Sequence, residues 1–155
     1  MEINIKIENI NQVRSALIKS PEIVSKHVNT AIKQALTIDL FNAKQKTTPV
    51  DLSNLKETWD IKTSNLRGEM GPVAKYALPV HEGSRPHWTS VKNLEGWAKR
   101  HGWNPYALQR HIAKHGTKPH PFLKEAIDIA QPNINKRFNT ALRNALSEIA
   151  REANK

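Results

Sequence analysis

His111 and His115 stand four residues apart, a spacing that puts two imidazoles on one face of a helix, where they can hold a metal ion from the same side. No H-E-x-x-H motif accompanies them, and no third ligand follows at a fixed spacing. The pair therefore reads first as imidazoles on a basic surface that tolerates either protonation state, and no metal or other cofactor is expected. Serine, histidine and aspartate all occur, but no G-x-S-x-G elbow presents a nucleophile. Neither a Walker A segment nor G-x-G-x-x-G is present to cradle a phosphate. The chain has no cysteine, which removes thiolate catalysis, disulfides and cysteine-rich zinc modules together and fits a protein made and used in a reducing cytoplasm. These residues do not describe a catalyst.

Charge is the stronger chemical signal. Across 155 residues, 24 Lys and Arg face 14 Asp and Glu, a formal net charge of +10. Eight of the basic residues (Arg85, Lys92, Lys99, Arg100, Arg110, Lys114, Lys118 and Lys124) and only one acid, Glu95, fall between residues 85 and 124, so that block alone carries +7. Six of the seven histidines and Trp88, Trp97 and Trp103 lie in or beside it. Such a block can contact phosphates without regard to base sequence, gaining affinity from released counterions, and its tryptophans can in principle stack on unpaired bases. Trp97 has helical spacing and is assigned to the core. No helix-turn-helix with a clear recognition helix is visible, so any contact with duplex DNA would be to its backbone.

The elements that must position this block follow from periodicity. Ile3, Ile5 and Ile7 alternate with polar residues, predicting a short strand over Met1 to Ile10 rather than a signal peptide, and no run approaches the ~20 apolar residues of a membrane span. Residues 11–19 read as a linker or short helix. From Pro21, Val24, Val28, Ala31, Ile32, Ala35, Leu36, Leu40 and Ala43 recur at helical spacing, predicting a helix from about Pro21, as first helical residue, to Lys46. Pro49 disfavours helix at Thr48 and ends it, and Asp51 or Ser53 is placed to cap a short turn over Leu52 to Lys56. Trp59, Ile61 and Thr63 predict a strand, Asn65 to Gly68 its turn and Glu69 to Val73 its partner. Tyr76 and Val80 are expected as core anchors. Two short helices follow, Val91–His101 with Leu94 and Trp97 inward and Pro105–His115 with Leu108 and Ile112 inward, each closed by a glycine. Beyond a proline-rich loop, two apolar sets starting at Phe122 and at Ile134 are separated by Pro132, which should kink or break a final helix. The expected fold is α+β. It comprises one domain over residues 1–155, a small antiparallel sheet packed with a long N-terminal helix and a long, Pro-kinked C-terminal helix, and a basic helical insert over residues 85–121.

The order of a long amphipathic helix, "TPVDLSNLKETW", "GPVAKYALPVHEGS" and "HGTKPHPFLKEA" resembles the tail-completion and head-tail joining family of long-tailed bacteriophages, the minor tail components, over about Pro21 to Ala150. Thr48, Pro49, Val50, Asp51, Asn54 and Leu55 match the first family motif, from which Leu52 and Ser53 depart. Tyr76, Ala77, Val80 and Gly83 match the second, with Glu82 shifted by one place and Ser84 where threonine is usual. Gly116, Thr117, Pro119, Pro121, Phe122 and Leu123 match the third closely.

The resemblance implies a virion structural protein without enzymatic activity, a ring subunit of the neck or tail top that assembles in the host cytoplasm and passes double-stranded DNA through its lumen. A hexamer is the expected ring. The implied protein partners are the tail terminator and a head-completion or connector protein, with no membrane partner. Arg85, Lys92, Lys99, Arg100, Arg110, Lys114 and Lys118 would then lie toward the lumen or another acidic surface. Pro49 and Asp51 would set the elbow, and Tyr76 and Phe122 would anchor the sheet and last helix. The rival expectation is a free, non-specific DNA-binding protein using the basic block 85–124.

Overall fold

The computed structural model describes residues 10–50 and 54–154. The strand expected before residue 10, and the cap expected from Asp51 or Ser53, lie outside the described residues. The fold is α+β, with one two-stranded antiparallel sheet and long helices at both ends. Helix α1 spans Ile10–Gln34, a turn of π-helix covers Ala35–Leu40, and α2 follows over Phe41–Thr47. After the short α3 (Asn54–Glu57) come β1 (Trp59–Ser64), β2 (Arg67–Pro72), α4 (Ala77–Glu82), α5 (Val91–Arg100), α6 (Pro105–His115) and α7 (Phe122–Ala153). Among the described residues no helix is long and apolar enough to cross a membrane.

Pro21, expected as the first residue of its helix, sits inside it instead. Pro21 lacks the N–H that would bond the Leu17 carbonyl one turn back. The Ser20 hydroxyl donates to that same carbonyl at 2.8 Å, so no acceptor is orphaned and the helix begins a full eleven residues earlier than Pro21, at Ile10. Pro132 likewise lies within α7, so the two apolar sets on either side belong to one helix. Pro49 behaves as expected, with α2 ending at Thr47.

The chain forms two compact units. The first draws its described residues from Met1–Phe41, Ile61–Glu69 and Ala130–Lys155, the second from Asn42–Asp60 and Met70–Ile129.

In the first unit the buried line of α1 is Ala16, Ile23 and Ala31, continued by Ala35 and Leu36, while α7 contributes Ala130, Ala141 and Ala145. Most of these positions are alanines, while Leu142, expected in the apolar set, stays exposed, as does Leu146. Lys26 donates to Glu148 at 3.1 Å, and Lys19 lies 3.9 Å from Glu152, tying α1 to α7. The hairpin turn is the two residues Asn65 and Leu66, shorter than the four expected. Leu66 has φ +57°, a conformation that costs a leucine about 1–2 kcal/mol. Asn29 of α1 holds it there. Its Oδ1 accepts from the Leu66 backbone N–H at 2.7 Å, and its Nδ2 donates to Asn65 Oδ1 at 2.9 Å. Gly68 of β2 is pressed so near α1 and the π-helical turn after it that a Cβ would come 2.4 Å from Ile32 Cγ2 and 2.7 Å from Leu36 Cδ1.

In the second unit Phe122, with no exposed surface, packs with buried Leu55 and Ala77, against which Trp59, Ala74, Val80 and Leu123 close. Phe122 meets Trp59 edge to face with centroids 6.3 Å apart, and His81 at 5.4 Å. Trp59 donates its indole N–H to the Leu55 carbonyl at 2.8 Å, and the ammonium of buried Lys44 donates to the Lys56 carbonyl at 2.6 Å while standing 5.3 Å above the Trp59 ring. Burial, with Lys56 nearby and partly opposed by Glu57, holds the Lys44 pKa below the ordinary lysine value.

Candidate functional site

The insert is positioned by its own caps and by one cross-link at its base. Asn104 caps α6, accepting from the backbone N–H groups of Tyr106 at 2.9 Å and Ala107 at 3.3 Å, with Pro105 at the first helical position. Gln109 donates to the Thr89 carbonyl at 2.7 Å, fastening the loop before α5 to α6. Ala98 and Ile112 are buried.

At the base, Ser84 and Thr117 form an antiparallel bridge. Ser84 N–H donates to Thr117 O at 3.2 Å, Thr117 N–H to Ser84 O at 3.1 Å, and the Thr117 hydroxyl to Ser84 Oγ at 3.0 Å. The glycines beside it make this approach possible. Gly83 (φ +76°, ψ −178°) and Gly116 (φ +71°, ψ −158°) occupy a region open essentially only to glycine. A Cβ on Gly83 would stand 2.5 Å from Thr117 O, and one on Gly116 would stand 1.9 Å from Ser84 O. His120 N–H then donates to Val80 O at 2.9 Å, and Leu123 N–H to His81 Nδ1 at 3.4 Å, delivering Phe122 into the core.

The other sequence-selected residues fall as follows. Thr48 is buried, and its hydroxyl has no hydrogen-bond partner among the described residues. Pro49 is half-buried, Asn54 opens α3, Leu55 is buried, Pro121 is exposed and Asp51 lies outside the described residues. Tyr76 is 44% exposed, and its neighbour Ala77 takes the core position assigned to it. The same substitution occurs on α5, where Trp97 is 37% exposed and Ala98 is fully buried. Trp97 instead stacks on His101, with centroids 4.2 Å apart and planes 27° apart.

All seven cations assigned to a polyanion surface, Arg85, Lys92, Lys99, Arg100, Arg110, Lys114 and Lys118, are exposed. Lys92 and Arg100 join Pro49, Leu55, Tyr76 and Trp97 around a cleft of about 740 Å³. Lys118 joins Leu94 and Ile112 around a second, of about 440 Å³, and the two share Pro49, Tyr76 and Val80. His111 and His115 sit side by side on α6, their rings 4.9 Å apart. Among the described residues no group of three His, Cys, Asp or Glu converges as a metal site.

Sequence reading missed a polar cleft of about 540 Å³ in the first unit, lined by His27, Gln34, Asp39, Lys136 and Arg137 among others. Asp39 sits on the π-helical turn and is buried, and both its oxygens accept from Arg137, one from Nη2 at 3.1 Å and the other from Nε. Arg137 Nη1 also donates to Gln34 Oε1 at 3.1 Å. The hydrogen bonds to Asp39 hold the Arg137 pKa above its ordinary value. His27 Nε2 lies 2.7 Å from Glu148 Oε2, and hydrogen bonds to His27 and Lys26 hold the Glu148 carboxyl below the usual carboxylate value. A lone aspartate inside "ALTIDLF" was the available signal.

Compared with known proteins, the chain matches no family model, no curated sequence and no solved structure.

Proposed function

We propose that this chain is a structural subunit of a long-tailed bacteriophage virion, a ring-forming tail-completion or head-tail joining component of the neck or tail top whose lumen passes double-stranded DNA. The observation that carries this reading is the joining of the three motifs behind the resemblance. The second and third are fastened through Ser84 and Thr117, and the first supplies Leu55 to the core that holds Phe122. A second feature supports repeated self-association. Ile10, Val13, Leu17 and Ile18 on α1 and Leu142 and Leu146 on α7 are exposed, and apolar surface of this kind is the material of subunit contacts. The exposed cations of the insert give a threaded duplex a favourable surface without fixing its register.

The test is to locate the subunit in assembled particles by cryo-electron microscopy with a tagged copy. Density at the neck is expected. A chain absent from mature virions would overturn the proposal. The exposed cations, with Trp88 73% and Trp103 55% exposed, favour a second reading, a free non-specific DNA-binding protein. Strong binding of duplex by the isolated chain, falling steeply with added salt, would select it.

A further inference from the structure

The two clefts of the second unit combine features that neither a duplex nor a free base satisfies. Their floors are aliphatic and prolyl, built from Pro49, Leu55, Val80, Leu94 and Ile112, with the exposed face of Tyr76 between them. Their rims carry Lys92, Arg100 and Lys118 with the imidazoles of His87, His101 and His120, and no aspartate or glutamate is among the described residues that line either cleft. A DNA backbone would satisfy the rim and leave the floor dry and unfilled. A single-stranded base could stack on Tyr76 or on the face of Trp97 that His101 does not cover, but it would leave the aliphatic and prolyl floor unmatched. The volumes, about 740 and 440 Å³, suit side chains rather than a helix of DNA. Apolar anchors seated in pockets, surrounded by complementary charge, are how short peptide segments gain both affinity and register.

We infer that this pair of clefts is a docking site for an acidic peptide segment of a partner protein, with apolar side chains seated against Val80 and Tyr76 and flanking carboxylates held by Lys92 and Lys118. The inference goes beyond the virion reading and does not depend on it, because charge complementarity and floor chemistry are local to one chain.

The experiment titrates the full-length protein, by isothermal calorimetry and tryptophan fluorescence, with the peptide acetyl-EDDLWDIEE-amide, with its all-acidic counterpart acetyl-EDDEEDDEE-amide, and with a ten-nucleotide single-stranded DNA. Saturable binding of the first peptide is expected, weakened about tenfold by Lys92→Glu, by Lys118→Glu and by Tyr76→Ser, and little changed by Lys114→Glu, which lies in the same basic block outside both clefts. The affected side chains are all exposed, and circular dichroism of each variant verifies that the fold is retained. Equal affinity for the all-acidic peptide, equal weakening by Lys114→Glu, tighter binding of the oligonucleotide, or no saturable binding of the first peptide would each overturn the inference.

Discussion

Replacing Gly116 with alanine tests whether the bridge at residues 84 and 117 holds the insert, and Gly102 supplies the control. Both glycines have positive φ, +71° and +69°, so both alanine variants are strained, Gly116 in a region open essentially only to glycine. For Gly102 nothing lies within 4 Å of the new Cβ, and the cost is about 1–2 kcal/mol. For Gly116 the Cβ would stand 1.9 Å from Ser84 O and 2.9 Å from the carbonyl carbons of Ser84 and Arg85. Backbone atoms cannot swing aside as a side chain would, so the bridge must open. Its three hydrogen bonds are each worth about 0.5–1.5 kcal/mol, and the backbone conformation itself costs about 1–3 kcal/mol for a non-glycine residue. Gly116→Ala should therefore destabilise by about 2.5–7.5 kcal/mol, exceeding Gly102→Ala by about the 1.5–4.5 kcal/mol of the bridge bonds. Urea unfolding followed by tryptophan fluorescence reports on this region, because Trp88, Trp97 and Trp103 all lie between the bridged residues. Native-state hydrogen exchange would place the added opening in α5 and α6. Equal destabilisation by the two alanines would refute the reasoning that contact, rather than dihedral preference, makes Gly116 necessary.

The pair of buried Asp39 and half-buried Arg137 should respond asymmetrically. Asp39→Ala alone strands a half-buried guanidinium that water can partly reach and should cost about 1–3 kcal/mol, whereas Asp39→Leu with Arg137→Met together should recover most of that loss in the same urea assay. Glu148 sets an acid limit. Its folded pKa lies below the unfolded value because His27 and Lys26 donate to the carboxylate, so its contribution is complete above the unfolded carboxylate value and disappears as pH falls through the folded one. Thermal unfolding from pH 6 to pH 3 should show that decline in the parent protein and a shallower one in Glu148→Gln.

Much of this architecture was legible because it rests on local rules. The helix over Pro105–His115 follows from Asn104 and Pro105 at its start and Gly116 after its end, and the hairpin follows from alternation around Asn65. Two kinds of error share a physical origin. Pro21 was assigned as a boundary because proline removes a donor, but one hydroxyl at Ser20 supplied the missing bond. Helical spacing points Trp97 inward and Tyr76 reads as a core anchor, yet the adjacent alanines Ala77 and Ala98 take the buried positions and the rings stay partly exposed. The polar cleft was invisible for a different reason. Asp39 and Arg137 are 98 residues apart in sequence and His27 and Glu148 are 121, and the π-helical turn that carries Asp39 shifts the helical register on which periodicity depends.

The strands of chain that enter and leave the α5–α6 excursion are fastened to each other at Ser84 and Thr117, so the chain reaches Phe122 from a closed loop. Closing a longer or shorter excursion changes the chain entropy only logarithmically with its length. The bridge thus separates two tasks: it fixes the direction from which Phe122 arrives at its pocket, whatever the length of chain that the loop encloses.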